Sequence, residues 1–312
     1  MRRHFWHYFF IYLAVWNIFN VANADIRMKD GHYIENDLPV GTQLPVQVCS
    51  ESWAPFYYEA PQTPSAKNAN KQASSKVVGV NIDILEAAAN QHQYQFQYKL
   101  MPHKRCLHNS QKFGHERQFE ITTDATYSEE KAKEFYFIGP IYSLSRAIFY
   151  SKDEFPKGLF NPMSGHRLTT LREMKHFEVC EADGRVIENY IEKHTHIDDE
   201  IVLLHKAGLN SMLMMLNHGR CEIMEIPAPI VAGSITAGEI TIPDNIACQT
   251  LNEEHVKFYF LVSRRSPRAE QLVTNINQTL ISLKQSGRYD EIVKRYYDEL
   301  YTKNSHTITD CF

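Results

Sequence analysis

Two kinds of hydrophobic periodicity alternate along this chain, and their alternation limits the folds that it can adopt. In Gln93–Leu100 every second residue is aromatic or aliphatic, which is the pattern of a half-buried strand. In Ala269–Leu283 the apolar residues recur every three to four positions, which indicates an amphipathic helix. Between these two segments, stretches with the strand pattern alternate with stretches with the helix pattern. Strands that alternate with helices of this length predict an α/β architecture with largely parallel sheets.

The stretch Ser128–Tyr142 has the most informative local pattern. Glu129 and Glu130 suit the positive end of a helix that begins here, and Lys131 adds a cation to the same first turn. A helix N-terminus beside a cation is suited to binding an anion. A surface helix with no ligand gives the same pattern, so both interpretations stay open. Thr126 with Glu129 also forms a possible capping box, which leaves the first residue of the helix open.

After this helix the chain predicts an aromatic strand, Phe135–Phe137. Gly139 and Pro140 follow, and this pair is typical of a break in regular structure. We therefore expect the strand to end before Gly139.

The first 24 residues differ from the rest of the chain. A basic start at Arg2 and Arg3 precedes the largely apolar run Phe5–Phe19, and Ala22-Asn23-Ala24 provides a small-x-small cleavage site. This order is typical of a secretory signal peptide cleaved after Ala24, with an uncleaved membrane anchor as the alternative. We expect a mature protein in the periplasm.

Composition excludes several classes of function. The formal net charge is −4, so no general attraction to nucleic acid is expected. No common hydrolase, zinc-protease or phosphate-loop motif occurs, and the scattered histidines suit polar loops better than a metal site. Neither a metal nor a cofactor is predicted. The even number of cysteines suggests disulfides in an oxidising compartment, but the spacing alone leaves fifteen full pairings open. They are Cys49, Cys106, Cys180, Cys221, Cys248 and Cys311.

Several motifs, in this order and spacing, resemble the type II periplasmic solute-binding proteins of family 3, the receptors of polar amino-acid ABC transporters. The resemblance implies two α/β lobes joined by two crossovers, with the ligand held in a cleft between the lobes. The crossovers are expected near Leu144–Phe149 and His255–Phe260. The implied divisions are the signal peptide at 1–24, the first lobe at 25–145 and 257–312, and the second lobe at 146–256. The motifs are Ala54-Pro55-Phe56, Val78–Leu85, Ser128–Lys131, Pro140-Ile141-Tyr142, Ser266-Pro267 and Leu283–Ile292.

The same resemblance implies a set of ligand-binding residues. Trp53 and Phe56 match aromatic residues that line the ligand, Thr126 and Lys131 match the groups that hold its α-carboxylate, and Asp124 matches a backbone carbonyl that receives its ammonium. The turn Gly184, Arg185 and Val186 is expected to complete the carboxylate site, and Arg105 matches a further cleft position.

Three departures from the family pattern bear on the ligand. Lys131 replaces an arginine, so a bidentate clamp is lost. Arg185 replaces a small hydroxyl residue, and Pro227 stands where an acidic residue usually binds the ligand ammonium. These departures argue against an ordinary α-amino acid, because the cleft has more positive than negative groups. The expected ligand bears a carboxylate and is an amino acid or a related organic anion.

The resemblance implies a monomeric binding protein rather than an enzyme. Its expected partners are the small ligand and a membrane protein, either an ABC permease or a sensor. The alternative is a periplasmic dehydratase acting on prephenate or arogenate, for which Glu181 or Glu222 would be the candidate acid.

The lobe assignment also suggests a disulfide pattern. Cys49 is expected to pair with Cys106 in the first lobe and Cys180 with Cys221 in the second, because each pair joins a strand to a neighbouring element of the same lobe. Cys248 and Cys311 are left as a possible third pair.

Overall fold

The computed structural model describes residues 44–60, 76–114, 119–182 and 203–304, together with two short strands at 28–29 and 32–33 and residues 308 and 311. The predicted signal peptide lies outside the described residues. So do Gly184, Arg185 and Val186. Among the residues that are described, no helix is both long enough and apolar enough to cross a bilayer.

The first of two large sheets has five strands in the order β6-β3-β7-β14-β8. β3 runs parallel to β6 and β7, whereas β14 runs antiparallel to β7 and β8. Two small ladders, β1–β2 and β4–β5, lie outside it. The strands up to β8 are Met28–Lys29 (β1), His32–Tyr33 (β2), Val46–Ser50 (β3), Tyr58–Glu59 (β4), Val77–Val78 (β5), Phe96–Leu100 (β6), Phe119–Thr126 (β7) and Phe135–Leu144 (β8), and β14 is Val256–Ser263.

In the described ranges, five helices pack with this sheet or connect its strands. The longest, α6, buries the apolar stripe that the sequence shows. The helices are Val80–His92 (α1), His103–Gln111 (α2), Glu129–Glu134 (α3), Ala269–Gln285 (α6) and Arg288–Lys303 (α7).

The second sheet has the order β11-β10-β12-β9-β13. β10 is parallel to β11 and β12, and β9 is antiparallel to β12 and β13. A 3₁₀ helix at Leu171–His176 precedes β10. The other elements are Ala147–Ser151 (β9), Val179–Ala182 (β10), Leu203–Ala207 (β11), Leu209–Asn217 (α4), Ile223–Glu225 (β12), Ala228–Thr236 (α5) and Ile246–Thr250 (β13).

The chain passes between the two sheets twice. It leaves the first sheet at Leu144 and enters the second at Ala147, and it leaves the second at Thr250 and returns at Val256. This α/β fold with two lobes and two crossovers is the one that the sequence predicts. The predicted domain boundaries after residues 145 and 256 stay a prediction.

The expectation of largely parallel sheets was wrong. Each large sheet contains two parallel and two antiparallel ladders, because the strands next to the crossovers run against the others. Periodicity within a strand indicates burial but not direction. The sequence pattern therefore could not separate the two arrangements.

The expectation that Gly139 and Pro140 end a strand was also wrong, since β8 continues to Leu144. Phe258 faces Tyr142 and Phe260 faces Ile138, so three residues of β8 oppose one residue of β14. Gly139 and Pro140 lie in this bulge, so the strand continues past them. β8 is an edge strand, and there a residue without an N–H donor can be accommodated.

The three disulfides have the expected pairing. Cys49–Cys106 lies in the first lobe and Cys180–Cys221 in the second, with Cα–Cα distances of 5.8 Å in both. The third pair is Cys248–Cys311, with a Cα–Cα distance of 6.2 Å.

Helix α5 of the second lobe packs tightly on the loop that carries Trp53. A Cβ atom added at Gly233 would overlap the carbonyl oxygen of Ala54. We expect Gly233→Ala to lower the free energy of unfolding by about 1–3 kcal/mol, as overpacking does elsewhere. Urea denaturation measures this. The matched control is Gly208→Ala, where the added Cβ meets nothing within 4 Å. Equal effects of the two changes would contradict the close approach.

Candidate functional site

The helix N-terminus predicted around Lys131 is present and its register is defined. α3 begins at Glu129, and the side chain of Ser128 accepts a hydrogen bond from the Lys131 backbone N–H at 3.2 Å. Ser128 is therefore the N-cap, and the alternative cap at Thr126 is not used. The Lys131 ammonium reaches back to Thr126, donating to its carbonyl oxygen at 3.0 Å and to its hydroxyl at 3.4 Å. The predicted hydroxyl and cation therefore lie side by side.

Asp124 is the second residue of the site that the structure holds in place. Its backbone is left-handed, with φ 60°, at a bulge where Thr123 and Asp124 of β7 oppose the single residue Phe260 of β14. Its side chain is buried. Hydrogen bonds offset the cost of burying such a polar group. The donors are Ser50 Oγ at 2.9 Å, Asn81 Nδ2 at 2.6 Å, Thr123 Oγ1 at 2.6 Å and Tyr142 Oη at 2.5 Å.

This network also acts on a neighbouring phenol. Burial raises the pKa of Tyr57 above its usual range, and the negative charge of Asp124 adds to the rise. Tyr57 therefore stays neutral throughout the physiological pH range. Its hydroxyl donates to the Lys99 carbonyl oxygen at 3.2 Å.

A stack of aromatic rings adjoins Asp124. Tyr142 stacks on Phe56 with a centroid distance of 3.6 Å and on Phe258 at 4.9 Å, and Trp53 lies 6.2 Å from Phe258. Phe258 is opposite Thr126 in the sheet, so the stack adjoins the Thr126–Lys131 pair. Trp53 is 4% exposed and Phe56 1% exposed, so both rings are core residues in this conformation. Their contact with a ligand stays a prediction.

Tyr142 stacks on Phe56 through its ring and donates a hydrogen bond to Asp124 through its hydroxyl, so a single substitution can test the hydrogen-bond network of Asp124. Tyr142→Phe keeps the ring but removes one donor from a buried carboxylate. We expect a loss of about 1–3 kcal/mol in the free energy of unfolding, measured by urea denaturation. Tyr98→Phe is the control, because the Tyr98 hydroxyl donates to Glu86, which is exposed. If the two changes cost the same, the Asp124 network contributes no more than a surface hydrogen bond.

The remaining predicted site residues are placed differently. Arg105 is exposed on α2, and its role in the cleft stays a prediction. Pro227 directly precedes α5, so the family position for an acidic residue is occupied by the start of a buried helix. Among the described residues, no group of three or more His, Cys, Asp or Glu side chains is arranged to hold a metal ion.

The second lobe contains an ion pair that the sequence analysis missed. Arg146 Nη1 donates to Glu225 Oε1 at 2.9 Å, and both side chains are 7% exposed. Arg146 lies between the two sheets, and its carbonyl oxygen accepts from the N–H of Leu251 at the start of the second crossover. Neither residue forms part of a motif, and the two are 79 positions apart.

Glu222, the dehydratase candidate that is described, has a structural role. Its carboxylate accepts from the backbone N–H of Glu178 at 2.7 Å. The side chain of Glu181, the other candidate, lies outside the described part of the structure.

The chain belongs to the bacterial extracellular solute-binding proteins, family 3, whose family model matches residues 54–299. No curated protein matches the chain by sequence.

Solved structures give the same fold at low sequence identity. A substrate-binding protein of an amino acid ABC transporter is 17% identical, with a TM-score of 0.59 over 81% of this chain and 99% of that one. Another such protein, from Streptococcus pneumoniae and bound to L-arginine, is 15% identical, with a TM-score of 0.61 over 82% and 95%. A histidine kinase sensor domain is 15% identical, with a TM-score of 0.60 over 81% and 95%.

Proposed function

We propose that this protein captures a small carboxylate-bearing ligand, an amino acid or a related organic anion, between its two lobes and presents it to a membrane partner. The observation that carries the proposal is the pairing of Lys131 with Thr126. The ammonium supplies positive charge, and the Thr126 hydroxyl, which accepts from it, still has its own proton to donate. Charge-assisted hydrogen bonds of this kind suit a carboxylate.

The described carboxylates near the site favour an organic anion over an ordinary α-amino acid. Asp124 is engaged by four donors, and Glu225 is paired with Arg146. Pro227 offers no charge. The resemblance leaves the Asp124 backbone carbonyl oxygen as an acceptor for a ligand ammonium, but pairing with the carboxylate of Asp124 or Glu225 requires displacement of an existing partner. A ligand without an ammonium meets no such cost.

The membrane partner is an ABC importer or a sensor. Two of the structural neighbours correspond to these two alternatives, one being a transporter substrate-binding protein and the other a histidine kinase sensor domain. The signal-peptide pattern of residues 1–24 supports export to the periplasm. The proposed protein acts as a monomer and performs no chemistry on its ligand.

Native mass spectrometry of freshly purified protein tests the proposal by detecting co-purified small molecules. Thermal unfolding with L-arginine, L-glutamate and succinate then ranks ligand classes. At about a hundredfold excess over Kd, binding should raise the Tm by about 5–10 °C. Recovery of an uncharged ligand alone, such as a sugar, would contradict the carboxylate assignment. Conversion of added prephenate or arogenate to an aromatic product would establish an enzyme instead.

A further inference from the structure

The third disulfide differs from the other two in what it joins. Cys248 lies on β13 in the sheet of the second lobe, whereas Cys311 lies in the tail that follows α7. The other two bridges each stay within the elements around one sheet.

Helix α7, which leads into this tail, is anchored to the first lobe. Tyr296 donates through its hydroxyl to Asp83 of α1 at 3.0 Å, and Arg295 pairs with the same carboxylate at 3.2 Å. The Tyr289 hydroxyl donates to the carbonyl oxygen of Ile141 in β8 at 2.8 Å. The helix that precedes the tail is therefore attached to the first lobe.

The tail then crosses to the second lobe before it reaches Cys311. Asn304 follows α7 directly, and its Nδ2 donates to the Thr236 hydroxyl at 2.7 Å and to the Ala232 carbonyl oxygen at 3.2 Å, both in α5. Ile308 is buried and accepts the N–H of Cys311 at 3.1 Å. Hydrogen bonds and one covalent bond therefore connect the tail to the second lobe.

The bridge lies close to both crossovers. Cys248 faces Phe149 across the β13–β9 ladder, and two residues further on Thr250 faces Ala147. The first crossover ends at Ala147, and the second begins at Thr250. At about 3.3 Å per residue, Cys248 is within about 7 Å of the end of its strand. The tail bridge therefore adds a covalent connection beside the two chain crossovers.

We propose that the Cys248–Cys311 bridge is a third, reducible connection between the lobes, and that it restrains their opening and twisting. Two crossovers allow the lobes to rotate about the line that joins them. A third attachment formed by a separate segment restricts that rotation, because the tail must then move with both lobes. Reduction releases the tail and leaves the two crossovers as the remaining covalent connections.

The placement of the cysteines also makes this bridge the one a reductant reaches first. Cys248 is partly exposed, whereas the cysteines of the other two bridges are fully buried. A small dithiol attacks Cys248 Sγ as a thiolate, and Cys311 leaves as a thiolate that takes up a proton. The second thiol of the reagent then releases Cys248, so the reagent becomes a disulfide and the protein gains two thiols.

The test compares wild-type protein with the double variant Cys248→Ser/Cys311→Ser by hydrogen exchange, without any ligand. We expect amides of residues 144–150 and 250–257 to exchange on the order of tenfold faster in the double variant. Small-angle scattering should show a larger mean radius of gyration. The control is Cys180→Ser/Cys221→Ser, which removes a bridge within the second lobe and should leave exchange at 250–257 closer to that of the wild type.

A second measurement does not depend on how the variants fold. Wild-type protein is titrated with dithiothreitol, and mass spectrometry of the peptides identifies the first bridge to be reduced, with hydrogen exchange followed in parallel. Loss of Cys248–Cys311 first, accompanied by faster exchange at the crossovers, supports the proposal. Unchanged crossover exchange once this bridge is reduced overturns the restraint, and earlier reduction of a buried bridge overturns the selectivity.

Discussion

Arg268→Ala is expected to lower the free energy of unfolding by about 3–5 kcal/mol, the cost of breaking a buried ion pair by removing one partner. Arg268 binds Glu120 in a bidentate arrangement, with Nε and Nη2 donating at 3.0 and 2.6 Å. It also donates to the carbonyl oxygens of Leu44 and Pro45, at 2.7 and 3.3 Å, just before β3. The Glu120 side chain is fully buried, so its carboxylate would keep only the Ser266 hydroxyl, at 2.7 Å, among these contacts.

Urea denaturation followed by circular dichroism measures this effect, and an exposed ion pair is the matched control. Lys294 and Asp298 are paired at 2.5 Å on α7, but the lysine side chain is 72% exposed. Lys294→Ala should therefore change stability by less than about 1 kcal/mol. Arg268→Lys should cost less than Arg268→Ala, because the charge remains while the fork is lost. A loss for Arg268→Ala no larger than that for Lys294→Ala would show that Glu120 needs no cation.

Some elements were predictable because a single local rule determines them. The period-two pattern of Gln93–Leu100 and the 3.6-residue pattern of Ala269–Leu283 appear as β6 and α6. The disulfide pairing also followed once the lobes were assigned, because each of the first two bridges connects neighbours around one sheet. Local periodicity was sufficient for β6 and α6, whereas the disulfide pairing also required the lobes that the family resemblance implies.

Helix α5 and strand β13 were not predicted, and the reason is physical. α5 is apolar nearly all around and almost completely buried, so it shows no amphipathic period, and Gly233 in its interior argues against a helix. Burial between the two lobes overrides these local preferences. β13 is short, and its burial does not alternate clearly. Tertiary packing decides both elements.

The proximity of three predicted site residues could be anticipated from the sequence, whereas their role in ligand binding stays a prediction. The resemblance identified Asp124, Thr126 and Lys131, and the structure brings them together around the bulge in β7. It did not predict that the Asp124 side chain would gather donors from β3, α1, β7 and β8. Such a network depends on residues far apart in sequence, such as Ser50 and Tyr142, and no local pattern indicates it.

Lys131→Ala is expected to weaken binding of a carboxylate ligand by roughly 2–5 kcal/mol, as for other desolvated charge pairs. This corresponds to on the order of 30-fold or more in Kd. The physical reason is that the change removes the cation beside the Thr126 hydroxyl, leaving a buried anion with fewer donors. Calorimetry measures the effect once native mass spectrometry has identified the ligand.

Two further variants distinguish direct binding of the ligand by Lys131 from a general effect of positive charge on ligand affinity. Lys133→Ala is the matched control, because Lys133 lies on the same helix α3 but is exposed, and its loss should cost less than about 1 kcal/mol. Lys131→Arg should keep or improve affinity, since a guanidinium can bind a carboxylate with two parallel hydrogen bonds. An affinity in Lys131→Ala equal to that in Lys133→Ala would remove Lys131 as the anchor. The proposal of an anionic ligand held at Thr126 would then be wrong, because it depends on the positive charge that Lys131 brings beside that hydroxyl.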